Sequence, residues 1–282
     1  MDFNNQTKIK AHRQRIHYFG SDYLIFDDHE DYRVVVFNSC ARHTQDPKDY
    51  ERGLIAESTL EWLEDELAAI HDPKSHKVNL FLCHHHPVQH DEKKLGAYDF
   101  MLNGTQLLSM LGKYGSWMVI HGHKHHATVR YDGSNAVKPI PIFSAGTLSA
   151  HKESLGGEGF NNQFYIVEID TDSVKYGLKG NIRAWTWAAN RWIKTQSKKD
   201  GIKDGSGFGF RGSLSDIVPK IDSLISNAAP VSWSRIVEEI PDLNYLTPSD
   251  LEQLWGALAE LDVDMDEDGG EDGMGSLSRA MG

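Results

Sequence analysis

"VNLFLCHHHPV", residues 78–88, joins a continuous apolar run to three consecutive histidines and a proline. Such an uninterrupted run is typical of a strand buried on both faces of a parallel sheet. "WMVIHGHKHH", residues 117–126, repeats this arrangement farther along the chain. Both histidine clusters are therefore predicted at the carboxyl ends of buried strands, which is the edge where α/β sheets place their sites.

The segments around these two stretches predict an α/β layered fold. "YLIF" (23–26) and "RVVVFN" (33–38) are predicted as a hairpin, and the periodicity of "ESTLEWLEDELAAI" (57–70) predicts a helix. Ser58 or Thr59 is the expected N-cap of that helix. A second short helix is expected over 104–115. The later runs "ATVRY", "IPIFSA", "QFYIVEI" and "NIRAWTW" are expected to form a separate antiparallel sheet.

The composition divides the chain into four predicted parts. Residues 1–195 are expected to form the main domain, and the Gly-, Ser- and Lys-rich stretch 196–213 is predicted to be a linker. Residues 214–261 predict a helical module, in which Thr247 precedes a helix start. The acidic stretch 262–282 is predicted to be a disordered tail.

Charge and cysteine content exclude several classes of protein. The 282-residue chain has a net charge of −12 and a pI of about 5.6, which disfavours non-specific binding to nucleic acid or anionic membranes. Cys40 and Cys83 both lie in strand-like runs and are expected to be buried free thiols rather than a disulfide framework. No apolar run approaches the roughly 20 residues that span a bilayer, and the N-terminus lacks a signal-peptide core. A cytoplasmic location is expected.

The histidines suit a metal site. Imidazole is a common ligand of Zn, Mn, Fe and Ni, and a turn at Gly122 would let His123 and His125 reach one cleft. The surplus histidines are expected to pack or to support the ligands: His84, His86, His121 and His126.

In this order, "CHHHPV" and "IHGHKHH" resemble the last two motifs of the calcineurin-like metallophosphoesterases, an H-x-P and a G-H-x-H after successive strands. The resemblance covers about residues 15–180. It implies a β-sandwich flanked by helices and two divalent ions that clamp a phosphoryl group. By this resemblance His85 and His123 bind one ion, and His125 binds the other. The implied activity is metal-dependent hydrolysis of a phosphomonoester or phosphodiester of unknown class.

Three earlier motifs of that family, D-x-H, G-D-x-x-D and G-N-H-D/E, are not found at the expected positions. The "DDH" at 27–29 precedes a strand rather than starting the fold and is interpreted as a chance match. The chain is therefore expected to be the C-terminal part of a phosphoesterase, with an incomplete β-sandwich and little or no activity alone. A longer gene, a separate partner polypeptide and a degenerate, non-catalytic binding module all remain open.

Two further expectations concern binding. The loop after Asn38 would place Arg42 and His43 in the substrate cleft, together with His86, although an ordinary surface loop is an open alternative. The 214–261 region is expected to contact a protein partner, or else to pack back on the sheet. Membrane binding is not expected, and the acidic balance disfavours nucleic acid as a partner, although nucleic acid stays open as a substrate.

Overall fold

The computed structural model describes residues 3–42, 52–89, 100–131, 138–151, 161–225, 229–266 and 275–279. The chain forms two compact units. The first is Met1–Asn162 with Asp170–Leu178, and the second is Gln163–Ile169 with Lys179–Gly282. Each unit combines strands with helices, so the α/β class and the helical region near the C-terminus are confirmed.

The first unit is built on a six-stranded sheet in the order β1-β2-β3-β4-β6-β5. β2, β3, β4 and β6 run parallel, and β1 and β5 pair antiparallel at the two edges. Its elements are α1 (Phe3–Ser21), β1 (Tyr23–Phe26), β2 (Tyr32–Phe37), α2 (Glu57–Ile70), β3 (Val78–Leu82), α3 (Gly104–Leu111), β4 (Trp117–His121), β5 (Thr128–Tyr131) and β6 (Pro141–Ser144).

Helices α2 and α3 pack their apolar faces on this sheet. Leu63, Leu67 and Leu107 are fully buried and share one core with Phe81 and Val119 of the central strands. The predicted limits of α2 are confirmed, but its N-cap is Ala56, whose side chain makes no capping bond. The expected caps at Ser58 or Thr59 were wrong, because the helix already begins at Glu57 and both residues lie inside it.

The assignment of β5 and β6 to a second sheet was also wrong. β6 pairs in parallel with β4, through Val119 with Ile142 and His121 with Ser144, and β5 folds back on β6. All four residues of β6 are buried. A strand covered on both faces belongs to the interior of a layered sheet, and the short sequence "PIFS" alone does not reveal which sheet that is.

The second unit begins with a four-stranded antiparallel sheet and continues into a helical region with a three-stranded sheet in the order β11-β13-β12. The elements are β7 (Gln163–Ile169), β8 (Gly180–Ala188), β9 (Arg191–Lys194), β10 (Ser206–Phe208), α4 (Leu214–Ile225), β11 (Val231–Ser232), α5 (Trp233–Glu239), α6 (Pro248–Ala259), β12 (Val263–Asp266) and β13 (Ser276–Arg279). Buried Ile221, Ile236 and Leu254 centre the helical core. A capping box of Thr247 and Asp250 starts α6, as the sequence indicated.

Two parts of the sequence expected to lack structure contain strands. Within the expected linker, β10 pairs with β8, and Phe208 is fully buried. The backbone N–H of Gly207 also donates to the carbonyl of Leu246 at 3.1 Å. Within the expected disordered tail, β12 pairs with β13, and Leu277 is 1% exposed. The alternation Val263-Asp264-Met265-Asp266 is a strand pattern that the high acidity obscures.

Candidate functional site

The carboxyl ends of three neighbouring parallel strands carry the candidate site. β2 pairs in parallel with β3, and β3 with β4. Cys40 follows β2, His84 and His85 follow β3, and His123 follows β4. We refer to these four residues as the strand-end cluster. Parallel strands bring their carboxyl ends to one edge of the sheet, so residues distant in sequence become neighbours there.

Three members of the cluster form a possible metal-binding group. The Cys40 sulfur and one ring nitrogen each from His84 and His85 all lie within 4.8 Å of one another. Ligand atoms on a tetrahedral Zn²⁺ ion lie about 3.3–3.6 Å apart, given metal–ligand bonds of about 2.0–2.3 Å. Side-chain adjustments of about 1 Å would therefore close the three ligands on one ion. His85 is buried, Cys40 is half-buried and His84 is exposed, so the group is accessible to solvent.

His123 contacts both histidines of this group. Its Nδ1 lies 3.0 Å from Nε2 of His84, and its ring centroid lies 4.6 Å from that of His85. Both His123 and His125 have left-handed backbone conformations, with φ of 78° and 57°. This conformation costs a residue other than glycine about 1–3 kcal/mol and is concentrated at functional sites. His125 is half-buried, and its role as ligand of a second ion stays a prediction.

Ser39 connects Cys40 to His85. Its buried hydroxyl oxygen lies 2.9 Å from Nδ1 of His85 and accepts the backbone N–H groups of His84 and His85. Burial raises the pKa of the Cys40 thiol, and the hydrogen bond with Ser39 partly opposes that rise. Nδ1 of His85 is thus held by Ser39, and supporting groups commonly orient a histidine ligand through the ring nitrogen that does not bind the metal.

His86 and His121 form a buried pair beside the cluster. Their ring centroids are 4.2 Å apart, and the two residues are 0% and 3% exposed. Burial lowers the pKa of His121 to about 3, so its ring is neutral at physiological pH. Substrate contact by His86 stays a prediction, and its side chain is buried in the structure. Packing was the expected role of His121.

Backbone contacts hold His85 and the segment that follows it. Gly53 lies directly against His85: a Cβ at Gly53 would meet the His85 Cβ and Cγ at 2.8 Å. After Pro87, the guanidinium of Arg130 donates to the backbone carbonyls of Val88 at 2.8 Å and Gln89 at 2.7 Å. The position of His85 is thus determined by close packing as well as by its hydrogen bond.

The remaining expected site residues lie elsewhere or outside the described residues. Arg42 is exposed two positions after Cys40, and its charge acts on Asp22, where it opposes the effect of burial on the carboxyl pKa. His43 lies outside the described residues. Substrate contact by Arg42 stays a prediction.

The "DDH" stretch has a structural role at the opposite edge of the sheet. Asp27 bonds Arg33 at 2.8 Å and Lys77 at 3.0 Å, and His29 stacks on Tyr32. These residues lie at the amino ends of β2 and β3, whereas the cluster lies at their carboxyl ends. The interpretation of "DDH" as a chance match agrees with this placement.

Sequence reasoning missed two members of the metal-binding group. Cys40 was expected to be a buried free thiol, and His84 was expected to pack or to support the ligands. The position of Cys40 relative to β2 could have identified it, because Cys40 follows β2 as closely as His84 and His85 follow β3. A parallel sheet makes equivalent strand-end positions neighbours, so Cys40 could have been grouped with the histidines.

A family model described as wHTH-Calcineurin_assc matches residues 206–260. No curated protein matches the chain. The matched segment contains no histidine, so it lies apart in sequence from the strand-end cluster and does not test the phosphoesterase resemblance. Among the described residues, no helix has the length and apolar character needed to cross a membrane.

The matched segment lies in a region with the element order of a winged helix-turn-helix. α4, β11, α5 and α6 are followed by the β12–β13 hairpin, and β13 pairs with both other strands. The region is strongly acidic. Residues 214–279 contain fifteen Asp or Glu and three Lys or Arg, a difference equal to the net charge of the whole chain, −12. Helix α6, Pro248–Ala259, contains no Lys or Arg.

Proposed function

We propose that the chain binds a divalent metal at the strand-end cluster and is part of a metal-dependent phosphoesterase with little activity by itself. The observation that carries this proposal is the convergence of Cys40, His84, His85 and His123 on one edge of a parallel sheet. A bound divalent ion would polarise a phosphoryl oxygen and lower the pKa of a metal-bound water.

The residues of the cluster are better suited to binding and orienting a metal ion and its phosphate ligand than to rapid hydrolysis of a phosphoester. The metal-binding group identified among the described residues contains no carboxylate. Two cations held a few ångströms apart repel strongly unless an anionic ligand lies between them. We therefore propose one well-held ion, and we expect the two-ion mechanism implied by the family resemblance to be weak in this chain alone.

The test compares phosphate binding with turnover. The purified chain is loaded with Zn²⁺ or Mn²⁺ and assayed for hydrolysis of an aryl phosphodiester and for binding of inorganic phosphate by calorimetry. We expect metal-dependent phosphate binding and slow hydrolysis, both lost in His123→Ala. The matched control is His76→Ala, an exposed histidine before β3 and away from the strand carboxyl ends.

The second candidate function is a non-catalytic binding module. It is favoured by the absence of a carboxylate from the metal-binding group within the described residues. Phosphate binding without any metal-dependent turnover would support this alternative. A chain that neither binds phosphate nor hydrolyses the ester would contradict both candidates.

We further propose that the acidic region 214–279 binds a basic protein surface rather than nucleic acid. Winged helix-turn-helix domains that read DNA need Lys and Arg to neutralise phosphates, and α6 offers neither. Its exposed positions include Glu252 and Gln253, and exposed Glu260 follows directly. Opposite charge on a partner would speed association and provide selectivity.

Charge reversal tests this partner proposal. Fluorescence anisotropy of the full chain with labelled poly-lysine peptide and with duplex DNA should show salt-sensitive binding of the peptide alone. Glu260→Lys with Asp264→Lys should weaken peptide binding, because both side chains are exposed in this region. The control, Glu57→Lys with Glu61→Lys on exposed positions of α2, changes the net charge equally. Equal weakening in both variants would show that net charge alone is responsible.

A further inference from the structure

We propose that the strand-end cluster is a thiolate-containing site for a single borderline-soft ion such as Zn²⁺, with Cys40, His84 and His85 as protein ligands. The inference rests on the metal-binding half of the proposed function. It does not depend on whether the chain hydrolyses a phosphoester. It differs from the histidine-only assignment made from the sequence, because it adds a sulfur and His84.

The geometry fits one ion of this class. One sulfur and two ring nitrogens lie within 4.8 Å of one another, and three protein ligands with one open position is the arrangement of catalytic zinc sites. Soft thiolate ligands select Zn²⁺, Cu⁺ or iron–sulfur clusters, and imidazole also suits Zn²⁺, whereas Mg²⁺ and Mn²⁺ prefer carboxylate, carbonyl and water oxygens. The absence of carboxylates from this group, among the described residues, points to the same choice of metal.

Ser39 supplies the supporting shell that such a site requires. Its hydroxyl oxygen lies 2.9 Å from Nδ1 of His85, it directly precedes Cys40 in the chain, and it is 0% exposed. Ser39 thereby ties the segment that carries Cys40 to a histidine ligand from the next strand. Gly53 packs closely against the Cβ and Cγ atoms of His85 and so helps to fix the position of this ligand. Groups of this kind typically change metal affinity by about 10–100-fold when they are removed.

Binding has a simple proton balance. The Cys40 thiol loses its proton to solvent as the sulfur–metal bond forms. The hydrogen bond between His123 Nδ1 and His84 Nε2 places one proton between the two rings. When His84 binds through Nε2, that nitrogen gives its lone pair to the ion and this hydrogen bond is lost. The shared proton stays on the imidazole that carries it, on a nitrogen that does not bind the metal. No redox step is involved.

Cobalt substitution tests the sulfur ligand directly. Co²⁺ bound to a thiolate gives a sulfur-to-metal charge-transfer band in the near ultraviolet that imidazole ligands alone do not produce. We expect the band in the wild-type chain and its loss in Cys40→Ser, with Zn²⁺ affinity lowered by about tenfold or more. Cys83→Ser is the matched control, because its sulfur contacts the His85 carbonyl at 3.3 Å and a serine hydroxyl can make the same bond.

The outcomes separate this inference from the proposed function. A band in wild type and Cys83→Ser that disappears in Cys40→Ser supports the thiolate site, even if phosphate binding and hydrolysis are absent. Metal binding without the band, or a band that persists in Cys40→Ser, overturns the thiolate site and leaves the phosphoesterase proposal standing. Manganese binding as tight as zinc binding would also overturn it. Circular dichroism of each variant checks that the fold is retained.

Discussion

Replacing Gly53 with alanine should destabilise the first unit and weaken metal binding, although it adds only one methyl group. The new Cβ would lie 2.6 Å from Cγ of Met101 and 2.8 Å from both Cβ and Cγ of His85. Non-bonded carbons normally approach to about 3.5–4.0 Å, so three contacts would each be short by about 1 Å. Met101 and His85 are 1% and 0% exposed, so neither can move out into solvent.

The magnitude follows from two opposing effects. Overpacking of a buried site by one methyl costs about 1–3 kcal/mol. Alanine also restricts the unfolded chain, which stabilises by about 0.4–1 kcal/mol wherever the native backbone suits it. The steric cost is larger, so we expect a net loss of about 1–2 kcal/mol. His85 should shift because its side chain meets the new methyl, and Zn²⁺ affinity should fall with it.

Urea unfolding and zinc titration measure the two effects. Gly122→Ala is the matched control: it makes the same substitution between His121 and His123, where a Cβ would meet nothing within 4 Å. We expect Gly122→Ala to unfold close to the wild-type midpoint. If Gly53→Ala is as stable as Gly122→Ala and binds zinc equally well, close packing against His85 does not position that ligand, and the reasoning fails.

Three other predictions concern strain, charge and the second unit. In thermal unfolding without metal, His123→Gly should be more stable than His123→Ala by about 1 kcal/mol, because the φ of 78° at this position suits glycine and strains alanine. Equal stabilities of the two variants would show that the backbone at position 123 is not strained. Burial tends to raise the pKa of Asp27, but the hydrogen bonds from Arg33 and Lys77 outweigh it and hold that pKa below its usual value. The resulting stability is present above the unfolded pKa of about 3.9 and is lost as pH falls through the folded pKa. Asp27→Asn should therefore destabilise at pH 7, by about 1–3 kcal/mol, and progressively less in acid; a constant difference across urea titrations at several pH values would exclude the charge effect. Phe208→Ala should lower the free energy of unfolding of the second unit by about 3–5 kcal/mol, because this side chain is fully buried. A small change in the urea midpoint would instead be expected of a residue in a linker.

Local patterns in the sequence were enough to predict the scaffold of the site. The apolar runs at 33–38, 78–83 and 117–121 correspond to β2, β3 and β4, and the periodicity of 57–70 gave both limits of α2. These segments are predictable because the spacing of apolar residues along a single helix or strand shows whether one or both of its faces are buried. The placement of histidines at the carboxyl ends of two strands followed from the same reasoning.

Composition was misleading where tertiary contacts require unusual residues. The stretch around β10 was interpreted as a linker because it is rich in glycine. Yet a Cβ at Gly207 would lie 2.3 Å from the backbone oxygen of Asn244, so glycine is required there for two backbones to pack closely. The acidic stretch after α6 was likewise interpreted as a tail, although its alternate residues Val263 and Met265 pack in the helical core. Glycine and acidic content describe what a segment contains and not what it packs against.

Residue patterns alone were enough to predict β2, β3, β4 and α2 and to place histidines at the ends of two strands. Three-dimensional packing brings Cys40 beside His84 and His85 and encloses His86 against His121, and no local pattern predicted either contact. The physical reason is that parallel pairing is non-local. The register between β2, β3 and β4 arises from contacts between segments separated by intervening helices, and no periodicity within one segment specifies which strand ends will meet.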